Sequence, residues 1–211
     1  MMCKNDWSTS IMLFFLLMAM GSVSIAQNGE QRFLENLSKN RTVGMTHFMQ
    51  GVSNTTTYTS LAVPASLFIA SALNHDDQMR QKSFYIFENI AVGSGIAIVL
   101  KYVVNRPRPS TQDSLIIPAS DMGSPSFPSG HSAISFATAT SLSLAYPKWY
   151  VILPSYAWAC SVGFSRMYLG VHYPTDVIAG AIIGSGSAFL CRAVNKWLFH
   201  PKNNHKQIIW Y

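Results

Sequence analysis

From Thr42 to Asn74 the chain carries no lysine, arginine, aspartate or glutamate, and this uncharged stretch constrains the fold more than any other feature. Four further apolar runs follow, after one at Tyr58 to Leu73: Asn89 to Leu100 extended by Lys101 to Val104, Ser132 to Tyr146, Trp149 to Phe164, and Val177 to Cys191. Each is longer than the 10 to 14 residues of an ordinary buried core helix and somewhat short of the ~20 that cross a bilayer comfortably. Three features favour membrane spans over a soluble core. Charges stand only at the ends of the runs. Ser, Thr, Ala and Gly crowd the last and third runs, with Gly180 and Gly184 four residues apart, as close helix packing in lipid requires. Trp149, Tyr150, Trp197 and Phe199 lie near run ends, where an interfacial aromatic belt forms. The expected fold is therefore an all-α helical bundle with five or six transmembrane helices. The mean hydropathy of +0.19 and a 49% hydrophobic content over 211 residues suit that class.

The sixth span depends on residues 1–26. Lys4, then an apolar stretch, then small residues at Ser24 and Ala26 have the order of a secretory signal. An uncleaved first helix is the alternative, and both deliver Gln27 to the non-cytoplasmic side. Residues 27–57 then form a non-cytoplasmic segment, 58–199 the helical bundle, and 200–211 a basic cytoplasmic tail. Cys3, Cys160 and Cys191 have no metal or disulfide spacing and read as small buried hydrophobes.

Threading the runs alternately collects Arg80, Lys82, Lys148, Arg192, Lys196, Lys202 and Lys206 on one side, which the positive-inside rule makes cytoplasmic. Arg106, Arg108 and Arg166 fall on the opposite side, so topology does not explain them. An anionic ligand does, and the net charge of +6 agrees with one.

Three stretches share that side: Lys101 to Pro109 (KYVVNRPRP), Pro128 to His131 (PSGH) and Ser165 to Asp176 (SRMYLGVHYPTD). In order and spacing they resemble the signature K-x6-R-P, P-S-G-H, S-R-x5-H-x3-D of the type 2 phosphatidic acid phosphatase superfamily, shared with bacterial non-specific acid phosphatases and vanadium haloperoxidases. Every position of the signature is matched, and three complete motifs in sequence form a specific signal.

Phosphoryl transfer asks a protein chiefly for positioning and for positive charge about the phosphate oxygens. Lys101 comes from the end of one helix. Pro107 and Pro109 bias Arg106 and Arg108 toward extended backbone, and Arg166 closes the clamp from another loop. Ser129 is placed to N-cap the following helix, with Gly130 allowing close backbone approach, so that the helix start can bind an anion. The resemblance implies that His172 attacks phosphorus to form a phosphohistidine, while His131 protonates the leaving oxygen. Asp176, in the first turn of a helix opened by Pro174, is suited to orient His172. Phosphate-binding positions are thus Lys101, Arg108, Ser129, Gly130 and Arg166; catalytic positions are His172, His131 and Asp176.

No acidic cluster offers a metal site, and no cofactor is expected. Arg106 lies outside the signature and reads as a contact to a second phosphate or a headgroup, or, more simply, as a side chain snorkelling to lipid headgroups. Ile116 and Ile117, in the segment Ser110 to Phe127, either touch a lipid chain or pack on the bundle. His47 and His75 read as surface residues. The implied partners are a lipid phosphate or pyrophosphate and the membrane, rather than nucleic acid. Substrates in the resemblance's range are phosphatidic acid, phosphatidylglycerophosphate, undecaprenyl pyrophosphate and lipid A phosphates, handled by an integral inner-membrane protein with a periplasmic site. The alternatives are a soluble secreted acid phosphatase, a haloperoxidase and a non-catalytic lipid-phosphate binder or transporter.

Overall fold

The computed structural model describes residues 28–120 and 123–198. The signal or first helix expected at residues 1–26, and the basic tail at 200–211, lie outside the described residues. Among the described residues the structure is helical without strands. A helix over residues 28–39 (α1) precedes α2 (Val43–Leu73), α3 (Asp77–Val104), the short α4 (Pro109–Gln112), α5 (Gly130–Ala145), α6 (Trp149–Tyr168) and α7 (Pro174–Leu198).

The whole uncharged stretch after Thr42 is a single helix, begun by Thr42, whose Oγ1 accepts from the Met45 N–H at 3.3 Å. It starts 15 residues before Tyr58, where the apolar run was expected to begin. Ser53 to Thr57 obscured it. Of these hydroxyls, Thr55 bonds back to the Val52 carbonyl at 2.6 Å, which lowers its cost in an apolar setting, and Ser53 accepts from Arg166. Asp76 caps α3 in the same way, accepting from Met79 N–H at 2.9 Å, and Asn105 ends it in the left-handed conformation at φ 48°.

Burial runs opposite to that of a water-soluble bundle. The buried face of α2 carries Met49, Ser53, Thr56, Ser60, Pro64 and Ser71, while Tyr58, Leu61, Phe68, Ile69 and Leu73 point outward. On α7, Ile178, Ile182, Phe189, Leu190 and Trp197 are exposed, and Gly180, Gly184 and Ser187 are buried. Large apolar side chains outside and small hydroxyl-bearing ones inside are what lipid, not water, stabilises. Among the described residues three helices are long and apolar enough to cross a membrane: α2, α3 with its continuation through Gln112, and α7. The protein is an integral membrane helical bundle. Its central helix is α5, which packs against α2, α3, α6 and α7. At 16 residues α5 is about 24 Å long, short of the ~30 Å hydrocarbon core, and is enclosed by its neighbours.

The α5–α7 contact depends on glycine. A Cβ on Gly180 would stand 2.5 Å from the Ser129 carbonyl oxygen, and one on Gly184 would run into the Ala133 carbonyl and lie 2.7 Å from the Ala137 nitrogen. The two helices therefore meet backbone to backbone, as the four-residue spacing predicts. Of the cysteines, Cys191 is buried and Cys160 is exposed, against expectation, because it lies on the outer face of α6. His47 and His75 are exposed, as expected.

The loops segregate to two ends. The α2–α3 and α5–α6 turns meet where Lys82 sits 4.6 Å over the Tyr146 ring. At the other end lie α1, the segment from Asn105 to Ser129 and the α6–α7 turn. There Leu34, Ile116 and Tyr173 form a small core, joined by Ser38 and Arg41 to the backbone of Ile117.

Candidate active site

All eight residues singled out from the motifs gather at this second end. Lys101, in the last turn of α3, donates from Nζ to the Pro125 carbonyl at 2.7 Å. Arg108, held extended at φ −80° and ψ 158° by the proline after it, is buried. It donates to the Ser124 carbonyl from Nε and to the Val171 carbonyl from Nη1, both at 2.8 Å, which ties two loops together.

Arg166 occupies the last turn of α6 and not a loop, as its place in the third motif had suggested. The helix runs on through Ser165 because its last residues face protein instead of water. Arg166 is buried, its Nη1 donates to Ser53 Oγ on α2 at 2.6 Å, and its Nε is buried without a partner. A buried guanidinium with an unused donor is poised for an additional acceptor.

Ser129 caps α5 as anticipated: its Oγ accepts from the Ser132 N–H at 3.4 Å and from the Ser132 hydroxyl at 2.9 Å, and its N–H donates to the Asp176 carbonyl at 3.0 Å. A Cβ on Gly130 would meet only Lys101 Cε at 3.9 Å, an ordinary contact, so packing alone does not demand glycine there. His131, in the first turn of α5, lies within the electrostatic reach of Arg166, His172, Lys101 and Arg108. Lys101 in turn feels Arg108, Asp176 and Arg166. Three cations from three segments thus lie within electrostatic reach of His131, and two of them, Arg108 and Arg166, within reach of His172.

His172 is 2% exposed, in the turn before α7. Burial is the largest influence on its ring and lowers its pKa from 6.5 to about 4; the Asp176 carboxylate opposes the shift, and Arg108 and Arg166 reinforce it. The ring is consequently neutral at neutral pH. Nδ1 stands 3.6 Å from Asp176 Oδ2, too long for a hydrogen bond, and is without a partner.

Asp176 sits in the first turn of α7 with no exposed surface, and its surroundings were only partly legible. Oδ2 accepts from the Ser126 hydroxyl in a short hydrogen bond and from the Tyr173 N–H at 2.9 Å. Oδ1 accepts from Arg106 Nη1 at 2.8 Å. Arg106 therefore does not snorkel to a lipid headgroup: it also donates to Thr175 Oγ1 at 2.7 Å, pairs with Glu30 at 3.1 Å, and stacks 4.0 Å above the Tyr173 ring. Ser53, Ser124, Ser126, Arg106 and Glu30 were missed as members of the site. Only Arg106 had a signal, its position before Pro107 beside the first motif. Ile116 and Ile117 part company, Ile116 being buried against Leu34 and Tyr173 and Ile117 being exposed. Among the described residues no three His, Cys, Asp or Glu side chains are grouped so as to hold a metal ion.

Comparison with known proteins finds similar chains. The undecaprenyl-diphosphatase of Sulfolobus acidocaldarius is 49% identical over 65 residues, 31% of each chain. The lipid A 4'-phosphatase of Bacteroides thetaiotaomicron is 36% identical over 100 residues, 43% of each chain. The chain thus matches about a third to a half of the length of these relatives. The crystal structure of a transmembrane PAP2-type phosphatidylglycerolphosphate phosphatase from Bacillus subtilis superposes with a TM-score of 0.69 at 23% identity, covering 94% of this chain and 98% of that one, and so shares the fold. The family model described as PAP2 superfamily matches residues 82–199, which hold all three motifs and every residue of the cationic cluster. With more than half of its length in that match, and with the motif side chains gathered at one end of the bundle, the chain belongs to the PAP2 superfamily.

Proposed function

We propose that this protein is a metal-independent phosphatase that hydrolyses a lipid phosphate or pyrophosphate through a phosphohistidine on His172. One observation carries the reading: Arg108, Arg166 and His131 lie within electrostatic reach of a buried, neutral imidazole backed by a carboxylate, and Lys101 lies within reach of His131. A binder or transporter needs the cations but not the imidazole and carboxylate pair.

Lys101, Arg108 and Arg166 hold the phosphate oxygens, with the Ser129 hydroxyl and the start of α5 adding neutral donors. Their positive charge stabilises the transferring phosphoryl group, the part a metal ion plays elsewhere. His172 presents Nδ1 to Asp176, which leaves Nε2 to attack phosphorus. As the N–P bond forms, the bond to the leaving oxygen breaks, and His131 gives that oxygen a proton. A bound phosphate dianion offsets the cations around His131 and favours its protonated form. Water then attacks the phosphohistidine, His131 takes its proton, inorganic phosphate leaves, and neutral His172 is restored.

The apolar outer face of the bundle favours a lipid substrate, since the site lies at one end of the helices that carry that face. The names of the relatives point to polyprenyl diphosphates and lipid A phosphates, and phosphatidic acid and phosphatidylglycerophosphate belong to the same chemical class. The positive charges near the opposite end of the bundle favour a site facing away from the cytoplasm.

Phosphate release by detergent-purified protein from a panel of these four lipids tests the reading, with His172→Ala as blank. Turnover of at least one lipid, abolished in the variant, is the expected result. Near-normal turnover by His172→Ala removes the assigned nucleophile, and no release from any lipid removes the activity.

A further inference from the structure

Glu30 belongs to none of the three motifs and lies outside the family match, yet it reaches the active site from α1. It is only 8% exposed. Its Oε1 accepts from the Thr175 N–H at 2.7 Å, an otherwise unpaired donor in the first turn of α7, and its Oε2 pairs with Arg106 at 3.1 Å. Arg106 passes the contact to Asp176 Oδ1 at 2.8 Å, and Asp176 Oδ2 faces His172 Nδ1 at 3.6 Å. Both partners of the outer pair are largely buried, with side-chain exposures of 18% and 9%, so their charges are weakly screened. The helix that carries Glu30 is anchored beside the site by Leu34, packed on Ile116 and Tyr173, and by Ser38, bonded to Ile117.

The charges along this chain alternate: Glu30 negative, Arg106 positive, Asp176 negative. Arg106 alone would fix the Asp176 carboxylate but also neutralise it, and a neutralised carboxylate does little for an imidazole that becomes cationic as it takes up phosphorus. With Glu30 present the triple keeps a net charge of −1. We infer that Glu30 and Arg106 are positioning residues for the reaction: Arg106 sets the Asp176 rotamer, and Glu30 restores the negative potential that Asp176 presents to His172. The inference rests on the assignment of His172 as nucleophile. The charged or titratable groups that act on His172 are Asp176 on α7, Arg166 on α6, His131 on α5 and Arg108 after α3; Arg106 and Glu30 stand behind Asp176, Lys101 acts on His131, and Tyr173 adjoins in sequence.

The test is the acid limb of kcat/KM on para-nitrophenyl phosphate, in the full chain in detergent. Substrate ionisation is common to all variants and cancels in the comparison. Glu30→Gln keeps an acceptor for Thr175 but removes the charge; its limb should move to lower pH by about half a unit or more, with kcat reduced about tenfold and KM within about twofold. Arg106→Gln should move the limb the other way, to higher pH, also with a lower kcat. Arg106→Lys, which keeps the charge but not the fork, should leave the limb in place and lower kcat, and with Glu30→Gln it carries the test if Arg106→Gln does not fold. Opposite shifts establish the charge relay, because loss of packing alone has no sign. Shifts in one direction for both variants, or none in Glu30→Gln, overturn it. Retained turnover in His172→Ala would instead strike the underlying catalytic assignment, so the two failures are distinct.

Discussion

Asp176→Asn is the most informative single change, since every hydrogen bond that the carboxylate accepts comes from a donor. Arg106 addresses Oδ1; Ser126 and the Tyr173 N–H address Oδ2, with His172 Nδ1 close by. An amide must place its NH2 at one of these positions. Toward Arg106, it opposes donor with donor beside a buried cation. Toward Tyr173, it opposes that N–H and also donates to His172 Nδ1, which drives the ring proton onto Nε2, the nitrogen that has to attack. Either orientation leaves a buried donor unpaired, costing about 2 kcal/mol, or a fall of about 4–8 °C in thermal midpoint for a chain of this size. The catalytic cost is larger: an imidazole in the wrong tautomer loses roughly three to four orders of magnitude in kcat. Phosphate release from phosphatidic acid in mixed micelles, alongside thermal unfolding in the same detergent, separates the two effects. A variant whose midpoint falls as stated but whose kcat stays within tenfold of wild type would refute the role of Asp176 in setting the His172 tautomer.

Gly184→Ala should lower the thermal midpoint by the equivalent of about 1–3 kcal/mol, because its Cβ meets the α5 backbone, whereas Gly186→Ala, with nothing within 4 Å, should not; equal behaviour would contradict the close α5–α7 contact. The His172 pKa of about 4, against 6.5 when unfolded, means that the unfolded chain binds the proton first as pH falls. Its contribution is fully present above pH 6.5 and is lost progressively toward pH 4, to the extent of about 3 kcal/mol, read as the changing gap in midpoint between wild type and His172→Gln. A constant gap over that window would refute the depressed value. Turnover should survive EDTA and be inhibited by vanadate, and loss in EDTA restored only by added divalent ion would overturn the metal-independent mechanism. Ile116→Ser should destabilise the protein by about 2–4 kcal/mol through its buried side chain, while Ile117→Ser should leave the midpoint unchanged and reduce turnover of lipid more than of a soluble ester.

Legibility followed the range of the interactions. The helix starts at Ser129 and Pro174 were readable because a cap and a first-turn proline act within three or four residues of themselves. The extended backbone at Arg108 was readable for the same reason, from Pro109. Helix α2 was read 15 residues short because a run of hydroxyls looks polar in sequence, and only the packing shows that Ser53 and Thr56 face inward. Arg166 was taken for a loop residue because a motif gives order and spacing but not whether the helix before it has ended.

The sequence by itself determined the groups available: an all-α chain for lipid, with lysine, arginines, histidines and a carboxylate spaced in three local motifs. Tertiary structure alone decided which partner each of those groups has. Glu30 finds Arg106 across 76 residues, Arg106 finds Asp176 across 70, and Arg166 finds Ser53 across 113. A buried charge takes whatever opposite charge or hydroxyl the packing of helices brings beside it, and that packing is set by the glycine contacts and small-residue faces of the whole bundle, which no local pattern around the charge records.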